Sequence, residues 1–131
     1  MQDFDAMYYS QDNTLAADSN IKRWLTTLFG ASEQFGRHPA PGRELKNWME
    51  AAGFRNIGSR KIMMPVGPWP KDPKLKEIGT YNLVQTLTGL EAFTLRLFCN
   101  VLGWAEEEVT VLLAGVRNEL KNPRIHAIYD L

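Results

Sequence analysis

Four prolines within the run MPVGPWPKDP, Pro65, Pro68, Pro70 and Pro73, constrain this chain more than any other feature. Each fixes φ and removes a backbone N–H, so neither a helix nor an interior strand ladder passes through them. Before the run, Ile62, Met64 and Val66 alternate with Lys61 and Met63, which is the period of a strand. Pro65 confines that strand to a sheet edge or to its own final residues. After the run the residues read as helix. The segment 65–73 is therefore a stiff crossover between a sheet and a helical layer.

The rest of the chain divides along the same lines. In MQDFDAMYY, Phe4, Ala6 and Tyr8 fall on one face of a strand and Asp3, Asp5 and Met7 on the other, and SQDNT then turns the chain. Ile21, Trp24, Leu25, Leu28, Ser32 and Phe35 recur at helical spacing, with Asp18 or Ser19 as the N-cap. Leu45, Trp48, Met49 and Ala52 mark a shorter helix, opened by Pro41 and closed by Gly53, and a strand is expected from Phe54 onward. KLKEIGTYNLVQTL and LEAFTLRLFCNVLG read as two helical stretches weakened at Gly79 and Gly89, with Gly103 as the stop. The apolar residues of the second, Leu90, Phe93, Leu97, Phe98 and Val101, exceed one stripe, which places it at the centre of the fold or in an interface. EEEVTVLLAGVRNELK begins with acids, ends with a lysine and turns Val109, Leu112, Leu113, Val116 and Leu120 inward. RIHAIYDL closes as a third strand. The fold class expected is α+β, mainly helical, one domain over residues 1–131 with a small three-stranded sheet. Its parts are cap helices over 18–53, the crossover over 65–73 and lid helices over 74–121.

Composition excludes several functions. A formal net charge of zero and a pI near 6.7 give no basic footprint for nucleic acid. No apolar run reaches the roughly 20 residues that span a bilayer, and the first residues lack a signal-peptide layout, so no membrane partner and a cytoplasmic setting are expected. The single cysteine, Cys99, excludes an internal disulfide and a cysteine metal cluster, and it reads as core filler. No GxGxxG, GxxxxGK[ST], zinc spacing or GxSxG elbow is present, so no metal and no cofactor loop is expected.

The combination LKNWMEAAGF, PVGPWPKDPKLKEIGTYNL, GLEAF, VLGWAEEEV and VRNELKNPRIHAIYDL resembles the C-terminal half of fungal class I SAM-dependent methyltransferases of the LaeA-like group. The resemblance covers nearly the whole chain. It implies that MQDFDAMYY is the fifth strand, that KNWMEAAGF leads to the sixth, and that RIHAIYDL starts the seventh, with strands five, seven and six adjacent. It also implies that the glycine loop and ribose-binding acid of those enzymes have no counterpart here, so that this stretch alone binds no SAM. Where family members tend to carry Ser after GW, this chain has Ala105, which forfeits a cap worth about 1 kcal/mol. Without the nucleotide half, an edge strand and apolar helix faces lose their cover. A homodimer, joined through the apolar helix or the first strand's edge, is the cheapest replacement.

Three functions fit this resemblance. The first is a SAM-independent cyclase or isomerase, a pericyclase such as a Diels–Alderase, that closes a ring in an apolar natural-product intermediate by holding it in a near-attack conformer and polarising a carbonyl. The second is a non-catalytic interaction or regulatory module. The third is the lid half of a split methyltransferase. For the first, His126, beside Tyr129 and Asp130, is the candidate donor or acid–base group, although a paired structural histidine fits the same position. Tyr129 and Tyr81 complete the catalytic set. Asn82, Trp24 and Trp104 are the expected substrate-binding residues, each of which also fits a capping or core role.

Overall fold

The computed structural model describes all 131 residues, and its three strands form one sheet in the order β1–β3–β2, with β1 at Asp5–Tyr9, β2 at Met63–Val66 and β3 at Ala127–Asp130. β3 runs antiparallel to both neighbours. β1 and β2 are therefore parallel to each other across it. Met64 lies opposite Tyr129 and Val66 opposite Ala127, while a bulge interrupts β1 between its pairings of Asp5 with Asp130 and Tyr9 with Ile128. This is the five–seven–six order that the resemblance implies. β2 is an edge strand, and Pro65 sits within it opposite Ile128. The strand expected from Phe54 shrinks to these four residues, extended only by mutual backbone bonds between Ile62 and Leu131.

The chain has four α-helices, α1 at Asn20–Gln34, α2 at Leu45–Ala51, α3 at Pro73–Leu95 and α4 at Glu106–Lys121, of which α1 and α3 pack directly on the sheet and α4 packs on both of them. Ser19 caps α1 by accepting from the Lys22 N–H at 3.2 Å. Glu119 of α4 holds the same end, accepting from the Asn20 and Ile21 N–H groups at 2.9 Å each, so an anion neutralises the positive end of a helix dipole. α4 buries all five residues of its apolar stripe. Its N-cap is Ala105, which makes no side-chain bond. α2 departs from expectation, because none of its residues is buried and Trp48 is largely exposed, as is Phe35 beyond α1.

The larger departure is α3. Instead of two stretches broken at glycines, one 23-residue helix runs from Pro73 to Leu95 and continues into a π-helical turn at Arg96–Val101. Asp72 accepts from the Leu75 N–H at 2.9 Å and Pro73 sits in the first turn, a strong start. Gly79 and Gly89 serve as clearances within it. A β-carbon on Gly89 would lie 2.5 Å from the Phe93 ring of the next turn. Leu90 and Phe98 lie at the centre of the core with Ile21, Leu25, Val109 and Val116, all fully or almost fully buried. The sheet contributes Tyr8, Val66 and Ala127 from the face turned toward the helices.

The opposite face of the sheet carries a polar cluster at its Asp5–Asp130 end. Asp5 pairs with Arg43 from a single 3₁₀ turn at Pro41–Arg43, and Asp130 accepts from Tyr9 at 2.7 Å and Lys61 at 3.1 Å. The outer side of β1 is partly satisfied by the chain itself. Lys22 reaches the Tyr8 carbonyl, and the Met7 N–H donates to the Asp5 carboxylate. A lysine on an edge is a common way to discourage strand addition.

Candidate functional site

Between β1, α1 and α3 lies a cleft of about 340 Å³. β1 alternation aims Phe4, Ala6 and Tyr8 into it, as the strand pattern predicts. α3 contributes Asn82, Gln85, Thr86 and Phe93, one helical face, and α1 contributes Trp24, Leu25 and Leu28. Phe4 and Phe93 stand at the rim with half or more of their surface exposed, whereas Trp24 is only 4% exposed.

The polar groups of the cleft are organised in short chains. Tyr8 and Tyr129 stack with centroids 5.9 Å apart. The Thr86 hydroxyl donates to the Asn82 carbonyl at 2.8 Å, which leaves it to accept from Tyr8 at 3.0 Å. Tyr129 donates to the Asn82 side-chain oxygen at 3.3 Å, and the Asn82 amide donates to the Pro65 carbonyl at 2.8 Å. The Trp24 indole donates to Thr94 at 2.8 Å. Burial pushes the Tyr8 and Tyr129 phenols up, so both stay neutral. Both phenolic protons of the cleft are thus committed inside the protein, while the phenol oxygens keep acceptor capacity and Gln85 keeps a free amide. Such a cleft suits an apolar molecule that offers a hydroxyl or N–H.

Of the six residues singled out from the sequence, the cleft gathers three: Trp24, Asn82 and Tyr129. Tyr81 lies on α3 beside Asn82, but 68% of its surface faces solvent. Trp104 packs edge-on against Phe98 at 5.0 Å, with Arg23 over its face at 5.5 Å, away from the cleft. His126 also lies elsewhere. Its Nδ1 bonds Asp12 at 2.5 Å, its backbone N–H donates to Thr14 at 2.8 Å, and its ring stacks on Trp69 at 4.8 Å. Sequence reading missed Tyr8, Thr86, Gln85 and Phe93 as site residues. The signal was available, because they continue the strand alternation of Phe4 and Ala6 and the helical spacing from Asn82.

A second, polar hollow of about 440 Å³ separates α2 from the end of the sheet, between Arg43, Lys46, Arg60 and Lys61 on one hand and Asp3, Asp5 and Asp130 on the other. Two of its cations are paired, Arg43 with Asp5 and Lys61 with Asp130, as expected of a polar seam.

With this geometry in view, three fungal proteins are informative. Methyltransferase pytC of Aspergillus terreus is 45% identical over 130 residues, 99% of this chain and 40% of its own length. The chain corresponds to a C-terminal segment of the LaeA-like methyltransferases. Secondary metabolism regulator LAE1 of Cochliobolus heterostrophus is 35% identical across 92% of this LaeA-like segment and 39% of its own length. Secondary metabolism regulator laeA of Monascus pilosus is 30% identical across 82% of the segment and 29% of itself. The LaeA-like segment spans at most 41% of the length of these and the other methyltransferase relatives it matches most strongly. No family model and no solved structure matches it.

Within the LaeA-like segment, the residues do not fit SAM. The turn after β1 is Ser10–Thr14 and that after β2 begins Gly67-Pro68, and neither supplies the glycine-rich cradle a nucleoside cofactor needs. Asp12, the carboxylate in the first of these turns, is already bonded by Thr14 and His126. No helix is long and apolar enough to cross a membrane.

Proposed function

We propose that this segment is the substrate-holding cap of a methyltransferase-like protein of fungal secondary metabolism, and that its cleft receives an apolar small molecule. The observation that carries this reading is the cleft itself, an apolar space between β1, α1 and α3 whose few polar atoms converge on one wall. Trp24 walls the ligand, Asn82 fixes the positions of Tyr129 and Pro65, and the phenol oxygens of Tyr8 and Tyr129 accept from a ligand hydroxyl or N–H. Methyl transfer itself requires a SAM-binding surface that these residues do not build, so any such chemistry falls to other polypeptide. A cytoplasmic setting accords with a lone, half-buried Cys99.

A cofactor-free cyclase is the second reading, in the same cleft. A flexible polyene held between Phe4, Phe93 and Trp24 would be ordered toward ring closure. Carbonyl polarisation would fall to the Gln85 amide, because the tyrosine protons are already engaged. The half-exposed rim of Phe4 and Phe93 favours burial in use, and a second copy of the chain is the cover we propose for it.

Titration with 1-aminoanthracene, an apolar aromatic amine, tests the primary reading. Saturable binding that Ala6→Trp abolishes supports it. Binding unchanged by that substitution contradicts it. Turnover of a polyene by the isolated segment without SAM would instead select the cyclase, and concentration-dependent light scattering reports on the second copy.

A further inference from the structure

Outside the cleft, three segments converge where the sheet meets its connections. Asp12 follows β1, Trp69 follows β2 and His126 immediately precedes β3. Because β3 is antiparallel, its start lies at the carboxyl ends of its two neighbours, the end at which open sheets commonly place ligands. The histidine there is held from three directions. Asp12 Oδ2 engages Nδ1 at 2.5 Å, Trp69 stacks on one face at 4.8 Å and 25°, and Thr14 Oγ1 accepts from the backbone N–H at 2.8 Å. Asp12 is itself fixed, since its Oδ1 accepts from the Thr14 hydroxyl at 2.7 Å and the Thr14 N–H at 3.2 Å.

This arrangement selects a tautomer. Neutral His126 must carry its proton on Nδ1 to satisfy Asp12, which leaves the Nε2 lone pair free, and a third of the side chain is open to solvent. His38 is the internal contrast. Its Nδ1 accepts from the Ala40 N–H at 3.2 Å, so its neutral form carries the proton on Nε2. One carboxylate that orients an imidazole and then balances its charge is the usual construction of a general base.

We propose that Asp12 and His126 form an acid–base dyad that takes a proton from the weakly acidic hydroxyl, a phenol or enol, of a small molecule at the carboxyl end of the sheet. The ligand's O–H bond breaks, its electron pair stays on oxygen, and the proton bonds to Nε2. The oxyanion is left beside an imidazolium that Asp12 neutralises. His126 is then the group that touches the ligand, and Asp12 is a positioning residue. The site stands apart from the apolar cleft, so either can fail without the other.

The test uses the whole chain, its two histidines resolved by long-range ¹H–¹⁵N correlation spectra, with 4-nitrophenol as the probe. In their neutral forms, His126 is expected as the Nδ1–H tautomer and His38 as the Nε2–H tautomer. At mildly acidic pH, where free 4-nitrophenol is protonated and colourless, the added probe should shift the His126 ring nitrogens and bind as phenolate, seen by its visible absorbance. His126→Gln and Asp12→Asn should each weaken that binding by about tenfold or more while amide spectra stay dispersed. A His126 proton on Nε2, no response of His126 to the phenol, or equal binding by a folded His126→Gln chain overturns the dyad. Unchanged 1-aminoanthracene binding in the same variants separates this outcome from any failure of the cleft.

Discussion

Gly67 and Gly79 meet backbone to backbone: the Gly67 N–H donates to the Gly79 carbonyl at 2.8 Å, and a β-carbon on Gly79 would lie 2.0 Å from the Gly67 oxygen. The crossover thereby rests directly on α3. Gly67 itself has φ of 108°, which a side chain rarely adopts, so both glycines of the contact are required.

Gly79→Ala should therefore destabilise the fold by about 2–3 kcal/mol even though alanine is the better helix former by about 1 kcal/mol. Urea unfolding measures this directly. Gly30→Ala, in α1 with nothing within 4 Å of its added carbon, is the control and should be neutral or stabilising.

Asn82 joins the crossover to β3 through Pro65 and Tyr129. Asn82→Leu is expected to cost about 1–3 kcal/mol, because the Pro65 carbonyl and the Tyr129 hydroxyl both lose a buried partner. Tyr129→Phe removes only one bond and should cost about 1 kcal/mol. Near-equal losses would mean that the Pro65 contact contributes nothing.

The Trp69 indole N–H is buried without a partner. Trp69→Phe keeps an aromatic ring against His126 and deletes that unsatisfied donor, so stability should stay within about 1 kcal/mol of the parent or rise. Trp69→Ala, which also removes the ring, should lose about 3 kcal/mol. The two melting curves distinguish the donor from the stack.

Much of this fold was legible because short-range patterns carried it. The α4 stripe from Val109 to Leu120, the Ser19 cap and the Phe4, Ala6, Tyr8 face depend on residues within a turn or a strand of each other. The glycines of α3 were misleading for the opposite reason. Propensity marks Gly79 and Gly89 as weak points, but their value lies in contacts with Gly67 and with the Phe93 ring, and tertiary packing outweighs a cost of about 1 kcal/mol. Asp12 and His126 stand 114 positions apart, so no local pattern announces their contact. Half of the candidate site was visible as residue types, whereas the convergence of Tyr8, Thr86 and Phe93 upon it depends on how α3 crosses β1.

Titration should reveal two limbs. Burial pushes the Asp130 carboxyl up, but bonds from Tyr9 and Lys61 outweigh it and hold the group below its ordinary range. Thr14 and His126 hold Asp12 down to about 2. Both contributions are complete above the unfolded carboxylate value of about 4 and are lost as pH falls below it. Burial and the Asp130 carboxylate push Tyr9 up to about 12, so its contribution is present below about 10 and is lost as pH rises from there. Urea midpoints recorded across pH should therefore fall at both ends. Tyr9→Phe should lessen the alkaline fall, the remainder belonging to the buried Tyr8 and half-buried Tyr129, and an undiminished decline in that variant would remove Tyr9 as a contributor.

The account's central claim is that the space between β1, α1 and α3 holds an apolar ligand. Amide and side-chain NMR shifts during a 1-aminoanthracene titration address it most directly. The prediction is a saturable response at Ala6, Tyr8, Thr86, Phe93 and Tyr129, lost in Ala6→Trp. A response centred instead on Trp104, or no saturable response at all, would contradict it.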